Sequence, residues 1–343
     1  MNLWLLFDYL LYFRLMLIRF FKSNQPATLF AVPVIVLLLW IEGFMHQSPL
    51  PTSDAMPIYK LILLYYSPRT AIIYKIIALG LLIFQAIYLN NIINKHEVLF
   101  KRSYLPALLY VALMSLFIPF LNLHPIILVN TLLIVLLDKI LSFYKTTSLI
   151  TVFQCGLLLG VGSLIYFPSI MLYISLLIGL AILRPYNWRD WIASVIGLTL
   201  PYYFLSAWYF YFDTLENFWK IKIPGYFIHL IRFDFTLTNP MKALMATLGA
   251  TLLLSLFKLQ SNSYRNTIKS RNFQVVILFL LIFSGASFLL SPRLYLEHFC
   301  IIAIPLSIFT SYFFLSVKKT FWVEILMFII IGLLVYNQVI YRG

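Results

Sequence analysis

The residues of this sequence that could do chemistry are few, and the most informative of them lie in three polar segments. Only 11 of its 343 residues are carboxylates. Asp54 lies in the first segment, SPLPTSDAMP, and Glu297 lies beside Arg293 in another, SPRLYLEHF. A carboxylate can act as a general base toward a hydroxyl or hold a divalent cation, and an arginine can bind phosphate through two parallel hydrogen bonds. These residue types indicate a site for a phosphate-bearing substrate, to which His298 of the same segment would contribute.

The remaining polar segment, residues 212–240, combines cations with aromatic rings. It contains Lys220 and Lys222, and its rings include Trp219 and Tyr226. Rings stack on sugar faces and cations bind phosphates, so this mixture fits a sugar or a lipid headgroup. It equally fits a helix at the membrane surface whose lysine side chains extend toward water.

Each candidate also has a purely structural interpretation. Asp54 can cap a helix that begins at Pro57. Arg293 and Glu297 stand four residues apart and can pair on one helix face, which would contribute only about 0.2–0.5 kcal/mol. The sequence contains no Cys–His spacing typical of a metal site. A divalent cation at Asp54 therefore stays open with its ligand set unknown, and no other cofactor is expected.

Transmembrane helices are the elements that must position these segments. The chain is 62% hydrophobic and 10% charged, with a mean hydropathy of +0.94. A soluble domain carries about 25% charged residues, so this chain cannot cover itself with polar surface in water. Its apolar runs are about 20 residues long, which is the length of a spanning helix and twice that of a barrel strand. The net charge of +14 is explained by loop Lys and Arg that set topology, so we expect no nucleic-acid partner.

We predict an all-α, polytopic transmembrane protein with about eleven spans. An amphipathic helix over residues 1–25 is expected to lie in the cytoplasmic interface, a first span being the alternative. Residues 26–343 would form one multi-span domain with periplasmic loops 44–69, 212–240 and 291–298. The spans are expected near 27–43, 70–89, 103–121, 126–143, 149–166, 168–184, 191–211, 241–257, 273–290, 299–315 and 320–340.

Charge asymmetry predicts the orientation of these spans. With the amino terminus in the cytoplasm of a bacterial inner membrane, every connection on that side carries at least one Lys or Arg, as the positive-inside rule requires. Asp54, Arg293 and Glu297 then share the periplasmic side.

Two further motifs have structural interpretations. The glycines of GLLLGVG (156–162) predict close helix packing, because they lie inside a span and no phosphate-loop Lys follows. RPYNWRDW (184–191) predicts a tight cytoplasmic turn whose Trp and Arg residues anchor two span ends.

Two stretches resemble the GT-C superfamily of polyprenyl-phosphate-sugar glycosyltransferases. Residues 149–184, LITVFQCGLLLGVGSLIYFPSIMLYISLLIGLAILR, are similar to its unit of small-residue helix, turn, apolar helix and basic turn. Residues 291–309, SPRLYLEHFCIIAIPLSIF, are similar to its late R-x-Y loop before a proline-bearing span, with Arg293, Tyr295 and Pro305 matching. Together the two stretches cover less than a fifth of the chain.

The resemblance implies a GT-C-like arrangement of spans and assigns two roles. In that superfamily an acid of the first outer loop is catalytic or metal-binding, and a late arginine contacts lipid phosphate. These roles would fall on Asp54 and Arg293. The sequence departs from the superfamily in lacking paired acids in that loop and a large outer domain. The whole chain, with FFKSNQPAT (20–28) and LRPYNWRDW (183–191), also resembles a family of Bacteroidota integral membrane proteins, which implies no function.

Three functions follow from these observations. The leading hypothesis is an inner-membrane protein that handles a polyprenyl-phosphate-linked sugar at the periplasmic face, and it includes a glycosyltransferase in which Asp54 or Glu297 activates the acceptor. Arg293, helped by Lys220 or Lys222, would neutralise the departing phosphate. The alternative is a non-catalytic membrane subunit that scaffolds an envelope complex with protein partners. A transporter ranks third, because charge within the spans is scarce.

Overall fold

Helices make up most of the part of the chain that the structure describes. The computed structural model describes residues 17–22, 27–45, 56–144, 148–184, 186–216, 219, 223–226, 232–233, 238–262, 264, 266–317 and 320–340. The α-helices in these ranges are α1 (Leu17–Lys22), α2 (Ala27–Met45), α3 (Pro57–Leu64), α4 (Ala71–His96), α5 (Leu105–Leu113), α6 (Pro125–Ser142), α7 (Leu149–Ile165), α8 (Leu172–Leu183), α9 (Trp188–Tyr211), α10 (Asn239–Ser261), α11 (Ile268–Ala286), α12 (Ala303–Ser316) and α13 (Thr320–Ile340).

Short elements link these helices. Two-residue strands, β1 (Arg232–Phe233) and β2 (Arg293–Leu294), pair in parallel. The 3-10 helices cover Ile118–Phe120, Phe167–Met171, Pro224–Tyr226, Ser287–Leu290 and Leu296–Ile302.

Eight helical segments within the described ranges are long and apolar enough to cross a membrane. They contain between 18 and 26 residues. At about 1.5 Å of rise per residue, such lengths match the roughly 30 Å hydrocarbon core of a bilayer. The segments are Thr28–Met45, Ala71–His96, Pro125–Ser142, Trp188–Tyr211, Asn239–Ser261, Ile268–Leu290, Leu296–Ser316 and Phe321–Val339. The predicted all-α membrane fold is therefore confirmed.

The three other predicted spans correspond to shorter helices. Leu149–Ile165 and Phe167–Leu183 are apolar but shorter than 18 residues. The span predicted over 103–121 is α5, of 9 residues, followed by the 3-10 turn Ile118–Phe120. Every residue of α5 is buried, so protein rather than lipid surrounds it. The total of about eleven spans stays a prediction.

The interfacial helix predicted over 1–25 is described only in part. Helix α1 covers Leu17–Lys22, and Phe21 is buried. The carbonyl oxygen of Phe21 accepts a hydrogen bond from the Tyr104 backbone N–H at 2.9 Å. This contact holds α1 against the start of α5, while residues 1–16 lie outside the described ranges.

Loops gather at two ends of the bundle, which we name by the predicted topology. At the outer end, the Tyr59 hydroxyl donates to the Leu123 carbonyl oxygen at 2.9 Å, and the rings of Tyr166 and His298 lie 5.4 Å apart. The outer end comprises the described residues among 56–70, 118–124, 166–171, 212–238 and 287–298.

At the inner end, a different set of loops is in contact. Lys269 Nζ lies 3.4 Å from Glu97 Oε2, and the Ser270 hydroxyl donates to the Val98 carbonyl oxygen at 2.9 Å. The inner end comprises the described residues among 94–104, 184–191 and 262–271.

Helices α7 and α9 approach closely through glycines, as the sequence predicted. A Cβ atom on Gly160 would lie 2.6 Å from the Leu198 carbonyl oxygen. A Cβ atom on Gly197 would lie 2.9 Å from the Leu157 backbone nitrogen and closer still to the Phe153 carbonyl oxygen. Small residues allow this backbone contact, which is how helices associate inside a membrane.

The turn between α8 and α9 is held by a buried ion pair. Arg184 Nε lies 3.2 Å from Asp190 Oδ2, and both side chains are largely buried. Asn187 caps α9 by accepting a hydrogen bond from the Arg189 backbone N–H at 3.2 Å. The contacts of Arg184 and Asn187 thus join the ends of α8 and α9, while the cytoplasmic location of RPYNWRDW stays a prediction.

Candidate functional site

Residues 291–298 are the predicted site segment that the structure describes completely. The backbone is extended at β2 and then forms the 3-10 helix Leu296–Ile302. Arg293 is exposed and Glu297 is partly buried. Because the strand separates them, they do not share a helix face, and none of the ion pairs among the described residues joins them. The interpretation of Arg293 and Glu297 as a helical i,i+4 pair is therefore wrong.

A hydrogen-bonded network around His298 fixes the shape of this segment. The Ser291 hydroxyl lies 3.0 Å from the Arg293 carbonyl oxygen and 2.6 Å from His298 Nε2, within hydrogen-bond distance of both. His298 Nδ1 lies 3.0 Å from the Tyr295 backbone nitrogen. His298 Nδ1 also lies 3.0 Å from the Tyr295 carbonyl oxygen, so the network accommodates either tautomer of the ring. Ser291 and His298 thus tie the backbone of Arg293 and Tyr295 to the start of the 3-10 helix.

Tyr295 and His298 also pack against neighbouring aromatic rings. The Tyr295 and His298 rings are stacked with centroids 5.9 Å apart. Tyr166 contacts His298 edge-on from the end of α7. These contacts link the segment to the stretch that resembles the GT-C unit.

Glu297 lies near the helix that follows the first polar segment. The Tyr59 phenol in α3 is buried, and its pKa is raised first by burial and second by the negative charge of Glu297. Asp54 lies outside the described residues, which resume at Met56. Met56 is fully buried, in one cluster with Leu164, Phe167, Tyr226 and Leu290. The structure thus brings the start of α3, α7 and the 291–298 segment together.

Two described parts of the segment 212–240, the 3-10 turn Pro224–Tyr226 and strand β1, contact this region of the outer end. The Tyr226 ring is 4.6 Å from the ring of Phe167, and the register of β1 with β2 places the Cα atoms of Arg232 and Arg293 side by side. Lys220 and Lys222 lie outside the described residues. Each of the two paired strands therefore contains an arginine, Arg232 in β1 and Arg293 in β2.

His124 is a buried residue of the outer end to which the sequence analysis gave no role. It caps α6, where Nδ1 accepts a hydrogen bond from the Ile127 backbone N–H at 3.3 Å. Burial, and to a smaller extent the charge of His298, lower the pKa of His124 to about 3, so it is neutral at physiological pH. Within the described part of the chain, His124 Nε2 has no hydrogen-bond partner. The motif NLHP, a polar residue directly before a helix-opening proline, is the signal that predicts such a cap.

Neutral polar side chains inside the bundle form hydrogen bonds that hold the 3-10 helix Leu296–Ile302 in place. Asn130 Nδ2 donates to the Cys300 carbonyl oxygen at 2.9 Å. The Tyr110 hydroxyl donates to Gln85 Oε1 at 2.8 Å and lies 3.5 Å from Asn130 Nδ2. In a membrane such groups must find partners within the protein. Sequence patterns do not predict these contacts, because they join segments that are distant in the chain.

An apolar groove lies beside the 3-10 helix. Its volume is about 220 Å³, and Phe299 and Ile302 line it together with side chains of α5, α10 and α12. Residues three apart share one face of a 3-10 helix, which places both side chains on the groove. Leu113, Leu248 and Leu306 line the facing helices. The groove has the chemistry to hold a hydrocarbon chain.

Two ionisable residues of the predicted spans, Lys75 and Asp138, have structural partners. Lys75 Nζ donates to the Gly43 carbonyl oxygen at the end of α2, where a cation is favourable. Asp138 pairs with Lys95 at 3.0 Å and with His96 at 2.7 Å. These pairings explain both residues without a transport pathway.

No protein-family model, curated protein or solved structure matches this chain. Among the described residues, no group of three or more His, Cys, Asp or Glu side chains is placed to hold a metal ion. Because Asp54 lies outside those residues, the divalent cation stays a prediction.

Proposed function

We propose that this chain is a bacterial inner-membrane protein that handles a polyprenyl-phosphate-linked sugar at the periplasmic face. The proposal includes about eleven spans in a GT-C-like arrangement, an amino-terminal interfacial helix and a cytoplasmic amino terminus. It extends to glycosyl transfer, with Asp54 or Glu297 as the base and a divalent cation as an optional participant.

The main support for the proposal is that a cation, a carboxylate and an apolar ring all lie within residues 293–299. Arg293 is exposed on β2, Glu297 is partly buried near Tyr59, and Phe299 lines the apolar groove. A lipid-linked sugar phosphate has the same three parts, which are an anionic phosphate, a polar sugar and a hydrocarbon chain. The guanidinium suits the phosphate, the carboxylate suits a sugar or acceptor hydroxyl, and the groove suits the chain.

In the proposed reaction, the acceptor oxygen forms a bond to the anomeric carbon while the bond from that carbon to the phosphate oxygen breaks. The acceptor proton passes to the carboxylate of Glu297 or Asp54. The electron pair leaves with the phosphate, whose charge Arg293 neutralises with help from Lys220 or Lys222. Tyr295 and His298 keep Arg293 and Glu297 in position.

Single variants test this proposal in membranes supplied with a radiolabelled polyprenyl-phosphate sugar. Asp54→Asn, Glu297→Gln and Arg293→Gln are each expected to lower glycan transfer at least tenfold, since proton transfer and charge neutralisation contribute about 10²–10⁴-fold. Arg69→Gln and Asp213→Asn are matched controls, because both residues are exposed at the outer end. Full transfer activity in all three site variants would exclude this site.

A specific observation supports the scaffold as second candidate. Only Asp190, Ser194 and Gly197 of helix α9 (Trp188–Tyr211) are buried in the bundle. Tyr203, Phe204, Trp208 and Phe210 are each more than 60% exposed on this helix. A stoichiometric protein partner that co-purifies in mild detergent and is lost with Trp208→Ala and Phe204→Ala favours the scaffold. A retained polyprenyl phosphate without such a partner favours the lipid-linked sugar.

A further inference from the structure

A polar cavity of about 370 Å³ lies at the inner end, away from the site described above. It is formed between the loop after α4 and the start of α11. The polar residues that line it are Asn94, Glu97, Arg102, Asn266, Thr267 and Ser270.

Hydrogen bonds hold the walls of this cavity in place. The Asn94 side chain donates to the Ser103 carbonyl oxygen and accepts from the Ser103 backbone N–H, both at 3.3 Å. The Val98 carbonyl oxygen accepts from the Ser270 hydroxyl at 2.9 Å. Glu97 adopts a left-handed conformation with φ of 58°, which is unfavourable for a residue with a side chain and must be held by the surrounding contacts. These contacts hold the loop, and with it the cavity wall, in one defined conformation.

The charge around the cavity is positive. Arg102 lines it, is exposed, and makes no hydrogen bond or ion pair with the other described residues. Lys101 and Arg271 are exposed nearby in sequence. The carboxylate of Glu97 is compensated by Lys269, 3.4 Å away. An anion that enters the cavity would therefore meet an uncompensated guanidinium.

An apolar side chain at the rim indicates a membrane ligand. Phe100 also lines the cavity, is 53% exposed, and contacts the Tyr312 ring of α12 at 5.7 Å. The positive-inside rule accounts for basic loops in general, but it does not require an arginine on a preformed cavity beside an exposed ring. We propose that this cavity binds the phosphate of an anionic phospholipid headgroup from the leaflet at the inner end.

The test uses the purified full-length protein in neutral detergent, with phosphatidylglycerol, phosphatidylethanolamine and inorganic phosphate as probes. Native mass spectrometry measures lipid retention, and thermal unfolding measures stabilisation. Arg102→Gln is expected to weaken phosphatidylglycerol binding about fivefold, the effect of one cation near a membrane surface. Glu97→Gln is expected to strengthen it, because the opposing charge is removed and Lys269 is released.

Arg69→Gln is the matched control, since it removes an exposed arginine at the opposite end, and it should leave phosphatidylglycerol binding unchanged. Opposite effects of Arg102→Gln and Glu97→Gln would support the proposal, because a general loss of stability cannot strengthen binding. Equal phosphatidylglycerol retention in wild type and both variants would overturn it. Arg102-dependent binding of inorganic phosphate alone, without lipid, would overturn the assignment to a lipid.

Discussion

Replacing Gly197 with alanine tests the close contact between α7 and α9. The new Cβ atom would lie 2.9 Å from the Leu157 nitrogen and closer still to the Phe153 carbonyl oxygen. Ordinary contacts between heavy atoms begin at about 3.5 Å. Both neighbours are backbone atoms of a helix and cannot rotate away, so the two helices must separate by more than about 0.5 Å.

The magnitude follows from what that separation removes. A gap of about 0.5–1 Å forfeits a quarter to a half of the dispersion energy of each contact across it. Since only three residues of α9 are buried, α9 has few other contacts that could compensate. Overpacking of this kind costs about 1–3 kcal/mol. We therefore expect Gly197→Ala to lower the melting temperature by a few degrees.

Gly332→Ala provides the matched control in a thermal unfolding assay by gel filtration in detergent. Nothing lies within 4 Å of a Cβ atom at Gly332 in α13. Alanine is favoured over glycine in a helix by about 1 kcal/mol, so this variant should be as stable as wild type or more stable. Equal melting temperatures for Gly197→Ala and Gly332→Ala would refute the argument that backbone contact joins α7 to α9.

Three other predictions concern buried polar groups. Arg184→Met should destabilise the protein by about 3–5 kcal/mol, because Asp190 is left buried without its partner; the double variant Arg184→Met with Asp190→Leu should recover part of the loss in the same unfolding assay, and no recovery would contradict this. Asn130→Leu should cost about 1–2 kcal/mol because the Cys300 carbonyl oxygen loses its donor inside the membrane, whereas the exposed Asn239→Leu should not. His124 has a pKa of about 3 when folded and an ordinary value of 6.5, so its contribution to stability is full above pH 6.5 and is lost as pH falls from 6.5 to 3. His124→Asn should reduce the slope of stability against pH over that range, and an unchanged slope would show that His124 is not buried in its neutral form.

The sequence predicts those features of the fold that depend on local composition. Apolar runs of spanning length give helices such as α4 and α11, since backbone groups in lipid have few alternatives to intrahelical hydrogen bonds. Gly156 and Gly160 lie in an apolar run where small residues predict close helix contact, whereas their partner Gly197 was not predicted. The turn between α8 and α9 was predicted from RPYNWRDW, and the ion pair of Arg184 with Asp190 was not.

The remaining features depend on contacts between distant segments. Hydropathy predicts a span over 103–121, but α5 is enclosed by protein and ends after nine residues. The helical pairing of Arg293 with Glu297 was wrong because β2 pairs with β1, about 60 residues earlier in the chain. No local pattern reports that pairing, and none reports the hydrogen bond between Ser291 and His298.

The 3-10 form of Leu296–Ile302 explains why polar and apolar chemistry meet at the outer end. Successive residues of such a helix point about 120° apart, and residues three apart share a face. Glu297 therefore lies near Tyr59, His298 is directed to Ser291, and Phe299 is directed to the groove. Asn130 fixes the rotation of these faces by binding the Cys300 carbonyl oxygen. A change in that rotation would move the carboxylate and the groove together, so a ligand that requires both should be lost from Asn130→Leu even though Asn130 contacts neither.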